Sequence, residues 1–191
     1  MARLTPVRPE AMTDDQRTLY DAILGGKRGP GMRREDGALI GPFNAMLLNP
    51  HVGDRVQRLG EALRFDISLP RNVIEVATLV VGSHWRAQFE WWAHERLAKQ
   101  AGVSEAVIAA IKRGERPDFS SDDEAGAYAV ASELYRTQRL TDASYAKAVQ
   151  RFGESGVFEL IALVGYYSLV SLLLNGFEVP LPAGETPPFN D

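Results

Sequence analysis

The chain has 191 residues, 45% of them hydrophobic and 24% charged, with a formal net charge of −4. That length can bury a core as one soluble unit without a disulfide or structural metal, and the charge offers nothing basic enough for a nucleic-acid backbone beyond the short cluster Lys27, Arg28, Arg33 and Arg34. Cysteine is absent, which excludes any mechanism that needs a thiol nucleophile, a thiolate ligand or a disulfide.

In chain order nearly every segment reads as helix. The opening stretch is broken by Pro6 and Pro9 before an apolar run develops, so it does not read as a secretory signal and a cytoplasmic location is expected. Thr13 and Gln16 form a capping box for a helix that stops at Gly25 and Gly26. The glycine-rich stretch that follows, within residues 25–42, reads as a long loop, either a lid or unstructured. Asn49 and Pro50 start a helix whose Val52, Val56, Leu59 and Leu63 share one face. Ser68 and Pro70 open an apolar helix carrying Glu75, and Ser83 is expected to cap the next one, which bears Glu90 and His94 and closes at Gly102. Ser104 caps a helix ending at Gly114, Ser121 and Glu124 form a further capping box, and Thr141 starts a short helix. An apolar helix at 157–174 comes last, stopped by Asn175 and Gly176 before a proline-rich extended tail. No useful strand alternation appears, so the expected fold is all-α.

The apolar helix needs separate treatment, because its eighteen residues carry Glu159 as their only charge and reach the lower limit for a membrane span. Glu159, Gly165, Tyr166, Tyr167, Ser168 and Ser171 inside it, and acidic Glu154 and Glu178 in place of basic flanks, argue against that. A helix apolar all round is expected to be surrounded by other helices, including those of a second subunit. No membrane contact is expected. The same segment also takes part in a faint repeat: residues 73–80 and 157–164 align with identities at Val73, Glu75, Leu79 and Val80. The positions matching Glu90 and His94 are then Leu174 and Glu178, so a site would belong to the first copy alone.

Chemistry concentrates at 83–102. Glu90 and His94 stand four residues apart, which stacks a carboxylate beneath an imidazole on one helix face. Trp85, Phe89, Trp91 and Trp92 surround them, making a half-apolar setting for an acid/base couple. Glu75 interrupts the run VIEVATLVV, where a carboxylate is costly to bury without a proton or partner. Plainer readings stand beside these. Arg86 and Glu90 are also spaced for a surface ion pair with His94 continuing the row, Glu75 also suits backbone N–H groups at its helix start, and the tryptophans also suit a core. His84 lies off the Glu90 face, within reach of Trp85 or Gln88. The donor types of His84, Glu90 and His94 suit zinc or iron, but their spacing matches no strong metal motif, so neither metal nor cofactor is expected.

Glu75, Ala87, Glu90 and His94, with intervals of twelve, three and four, resemble the relay spacing of the alkylhydroperoxidase D (AhpD) and carboxymuconolactone decarboxylase superfamily. The peroxidase branch has cysteine at the positions of Ala87 and Glu90, so this chain resembles the cysteine-free, decarboxylase side. The resemblance runs over 41–182 and includes FNAMLLNP, the SHW run and NGFEVPLP. It implies an AhpD-like helical fold with two degenerate repeats, organised as an N-terminal helix and loop at 1–40, one helical domain at 41–182 and a tail at 183–191. It further implies Glu75, Glu90 and His94 as catalytic, and a homotrimer or homohexamer. His84, Trp85, Arg86 and Trp91 are expected to line the substrate, with the Arg86 guanidinium suited to a carboxylate. The expected partner is a small acid or lactone and the expected reaction a decarboxylation or isomerisation. A non-catalytic oligomeric binding protein of the same fold is the alternative.

Overall fold

The computed structural model describes residues 3–190, and among them every α or β element is helical apart from one isolated bridge between Arg33 and Leu39. The helices are α1 (Asp14–Gly25), α2 (Pro42–Met46), α3 (Pro50–Phe65), α4 (Arg71–His84), α5 (Gln88–Gln100), α6 (Glu105–Lys112), α7 (Asp122–Thr137) and α8 (Asp142–Gly176). They fall into two compact units. One holds the described residues up to Asp66 with Leu173–Glu185, and the other holds Ile67–Leu172 with the residues from Thr186 on.

In the first unit the Thr13 capping box forms as expected, with Gln16 N donating to Thr13 Oγ1 at 3.3 Å and Thr13 N donating to Gln16 Oε1 at 3.0 Å. Leu19, Tyr20 and Ile23 of α1 meet Phe43, Met46 and Leu47, and the glycine-rich loop contributes Leu39 to the same cluster. That loop is thus anchored: Ala38 and Leu39 are buried.

Helix α3 corrects the expected face. Its buried residues are Gly53, Gln57, Gly60 and Leu63, while Val52 and Leu59 are 57% and 50% exposed. Smallness decides the rotation, because a Cβ at Gly53 would come within 2.2 Å of the Met46 carbonyl oxygen. Only glycine lets α2 approach that closely.

In the second unit α4 is the centre. Its residues 73–82 are all buried, and α5, α6 and α7 pack against it. Ser83 does not cap α5. The helix before it continues to His84, and Ser83 donates instead to the Ile111 carbonyl at 2.8 Å. The turn is made by residues 85–87, with Arg86 at φ 47°, a left-handed conformation that costs a non-glycine residue about 1–2 kcal/mol. Ser121 caps α7 as expected, but Glu124 does not return the bond and accepts from Asn72 Nδ2 at 2.9 Å instead.

Helix α8 is interrupted at Gly153, whose φ 70° and ψ 170° lie in a region that only glycine occupies readily. The Phe152 ring packs at Gly126, and its Cβ at Gly156, on either side of this break. A Cβ at Gly153 itself would touch nothing within 4 Å. Gly153→Ala is therefore expected to destabilise the fold by about 1–3 kcal/mol through the backbone alone, measured as a lowered urea midpoint with an unchanged slope.

Candidate functional site

Glu75 lies mid-way along α4, 1% exposed, between residues that are apolar on either side. A carboxylate there needs a partner that can reach it from another helix. That partner is His94 of α5, whose Nδ1 is 2.6 Å from Glu75 Oε2. The other ring nitrogen, Nε2, is 3.1 Å from Glu90 Oε1, the i,i+4 contact on the same helix. The spacing that stacks Glu90 beneath His94 thus leaves Nδ1 free to face α4. Arg71 Nη2 completes the set at 3.4 Å from Glu75 Oε1, one turn earlier on α4.

The cluster is closed to water. Glu90 and His94 are 4% and 5% exposed, and Tyr167 of α8 meets the His94 ring edge-on at 4.9 Å between centroids. Burial is the largest single influence on His94 and works against its charge. The Glu75 carboxylate, then that of Glu90, outweigh it and hold the imidazolium up to about 9. At neutral pH both ring nitrogens therefore carry hydrogen, and Nδ1–H donates to Glu75. Glu75 Oε1 and Glu90 Oε1 accept no aligned hydrogen bond. The Nε2 to Glu90 contact is an ion pair without hydrogen-bond alignment. A buried imidazolium between two carboxylates can donate a proton, take one back, and keep its ring orientation throughout.

Of the residues expected to line a substrate, Trp91 is fully buried, packs at Gly82 of α4, and donates its indole N–H to Glu95 at 2.8 Å. His84 is not at a helix start but ends α4, and its ring stacks on Tyr135 at 3.9 Å and meets Trp85 edge-on at 5.3 Å. Burial holds its pKa below the ordinary histidine value. Arg86 does not pair with Glu90. Its guanidinium lies over the Phe189 ring at 5.2 Å and donates to the Asn190 carbonyl. Among the described residues no three His, Asp or Glu side chains are gathered to hold a metal ion.

Two contacts escaped the sequence. Arg71 was readable as i,i+4 to Glu75, whereas nothing local pointed Tyr167 at His94. The second repeat contains no matching cluster: Glu159, aligned with Glu75, accepts from Ser68 N at 3.1 Å and Ser68 Oγ at 2.8 Å just before α4. Glu178, aligned with His94, pairs with Arg3 at 2.6 Å.

No family model matches the chain, and no curated protein is similar to it. Solved structures share its fold. An uncharacterized peroxidase-related protein from a Silicibacter species superposes with a TM-score of 0.70 at 12% identity, over 95% of this chain and 92% of that one. A second, described as an alkylhydroperoxidase AhpD core and an uncharacterized peroxidase-related protein from Ralstonia eutropha, gives 0.74 at 12% identity, over 95% and 93%. The fold is thus the all-α AhpD-like fold.

The raised His94 pKa makes stability depend on pH. Because the folded value, about 9, exceeds the ordinary histidine value of 6.5, its contribution is fully present below pH 6.5 and is lost as pH climbs to 9. That loss is expected to be on the order of 3 kcal/mol. Urea unfolding across this window checks it, alongside an NMR titration of the His94 ring with its midpoint near the upper end.

Proposed function

We propose that the Glu75, His94 and Glu90 cluster is a thiol-free proton-transfer site acting on a small acid or lactone whose carbanion is stabilised by a carbonyl. The observation that carries this reading is the buried His94 ring set 2.6 Å from Glu75 on one nitrogen and 3.1 Å from Glu90 on the other. Decarboxylation of a carboxymuconolactone-like lactone or a 3-oxo acid breaks the bond to the departing CO2 and leaves its electron pair as an enolate. A proton must then reach carbon. His94 supplies it from Nε2, its ring fixed through Nδ1 by Glu75, and Glu90 relays the replacement proton. The same groups serve proton abstraction beside a carbonyl, so isomerisation belongs to the reading.

Trp91 is the apolar wall beside Glu90 in this scheme, and a substrate approaches past His84 at the end of α4 and Trp85 and Arg86 of the turn that follows. Arg86 suits a substrate carboxylate once it leaves the Asn190 carbonyl. The closure of the cluster favours a second reading, a non-catalytic oligomeric binding protein with the same pocket. Steady-state assays on lactones and 3-oxo acids separate the two. His94→Gln and Glu90→Gln are each expected to lower kcat by about 10²-fold with the fold retained, and variants equal to an active wild type would refute the assignment.

The assembly proposed is a homotrimer or homohexamer, soluble and cytoplasmic, with no nucleic-acid or membrane partner. Its support is one face of α8, where Phe158, Ile161, Leu169 and Leu172 are 71%, 43%, 40% and 52% exposed and Gly165 leaves open space between them. Such an apolar stripe suits burial against another copy. Half of the helix's most apolar window is buried within the chain itself, although its length and composition alone would let it cross a membrane. Light scattering coupled to size exclusion is expected to give three or six chains; a monomer of about 21.0 kDa would reopen the membrane reading.

A further inference from the structure

Between Pro182 and Asn190 the chain has little reason to be ordered, with three prolines and few apolar side chains. Phe189 is nevertheless 5% exposed while Thr186, Pro187 and Asn190 are open to solvent. Its ring meets Trp91 edge-on at 5.3 Å and receives the Arg86 guanidinium on its face. The backbone is gripped as well. Gln88, the first residue of α5, donates from Nε2 to the Phe189 carbonyl at 2.8 Å and accepts from the Phe189 N–H at 2.9 Å. A side-chain amide that pairs with both groups of one residue imitates a neighbouring strand. Pro187 and Pro188 limit the freedom lost when this segment docks.

The contacts converge on the turn that precedes the cluster. Arg86 is held in its left-handed conformation at that turn, Gln88 stands two residues before Glu90, and Trp91 sits between Phe189 and Gly82 of α4. Without Phe189, Trp91 would lose the cover on its outer side.

We propose that residues 186–190 are a detachable strap, docked through Phe189 and the Gln88 amide, that holds the start of α5 against α4 and so keeps the Glu75, His94 and Glu90 cluster closed. Docked, it also occupies Arg86 with a backbone carbonyl. Releasing it uncovers Trp91 and frees the guanidinium in one movement, which is the opening that a buried cluster needs before a small acid can enter. That last step rests on the proton-transfer reading.

Amide hydrogen exchange on the full chain tests the strap without reference to turnover, so loss of the proton-transfer reading would leave the result standing. The Phe189 amide is expected to exchange at least about tenfold more slowly than in a free peptide of residues 183–190. Phe189→Ala and Gln88→Glu, the second keeping side-chain length while placing an oxygen against the Phe189 carbonyl, are each expected to speed exchange over 88–95 by about tenfold. Amides of α7 serve as the internal control for the fold. A Phe189 amide that exchanges as fast as the free peptide overturns the docking, and unchanged exchange over 88–95 in both variants overturns its hold on α5.

Discussion

A carboxylate taken out of water costs several kcal/mol unless opposite charge and hydrogen bonds replace its hydration, and Glu75 is placed where that cost is greatest, on a helix buried on every side. Arg71 offers charge from one turn earlier but stands at 3.4 Å. The close partner comes from α5, and this requires α5 to cross α4 with His94 facing inward. Trp91 packs on α4 at Gly82 where the two helices cross. His94 once buried has a second nitrogen to satisfy, and Glu90 meets it from one turn below. Each ion is thus the reason another is tolerated. Removing any one leaves a charge in the interior without its counterpart.

The cluster was legible for a physical reason. A charge inside an apolar helical run announces that something must answer it, and an acid and a histidine at i,i+4 are the residue types able to do so. Helix starts were legible wherever a side chain makes the cap, as at Thr13, Asn49, Ser104 and Ser121. The start of α5 was not, because Ala87 offers no side-chain cap and the turn is built on a left-handed Arg86 that distant contacts hold in place. The exposed Val52 and Leu59 mislead for a related reason: at α3, backbone proximity at Gly53 outranks apolar periodicity. Tyr167 and Phe189 are partners across long stretches of chain, and no local pattern encodes the direction in which they point.

The second unit places no sulfur at the start of α5. The positions three apart at the start of α5, Ala87 and Glu90, are a buried methyl group and a first-turn carboxylate. Neither can exchange electrons, yet a carboxylate in the first helical turn is stabilised by the unpaired backbone N–H groups there. An acid/base role is chemically open to these residue types where thiol redox chemistry is not.

The break at residues 85–87 has a counterpart only as an absence. At the aligned positions 169–171 helix α8 runs on without interruption, so Leu174, the residue matching Glu90, falls in the last turn of a helix rather than at its opening. There the helix has no free N–H groups to offer an anion. A single exchange of Leu174 for an acid would therefore not raise a second cluster, because a helix start and an imidazole at position 178 would have to be created with it. The two aligned stretches differ in packing as well as in chemistry, since residues 73–80 are all buried while Phe158 and Ile161 of the second are exposed, and each chain carries the cluster in its first stretch alone.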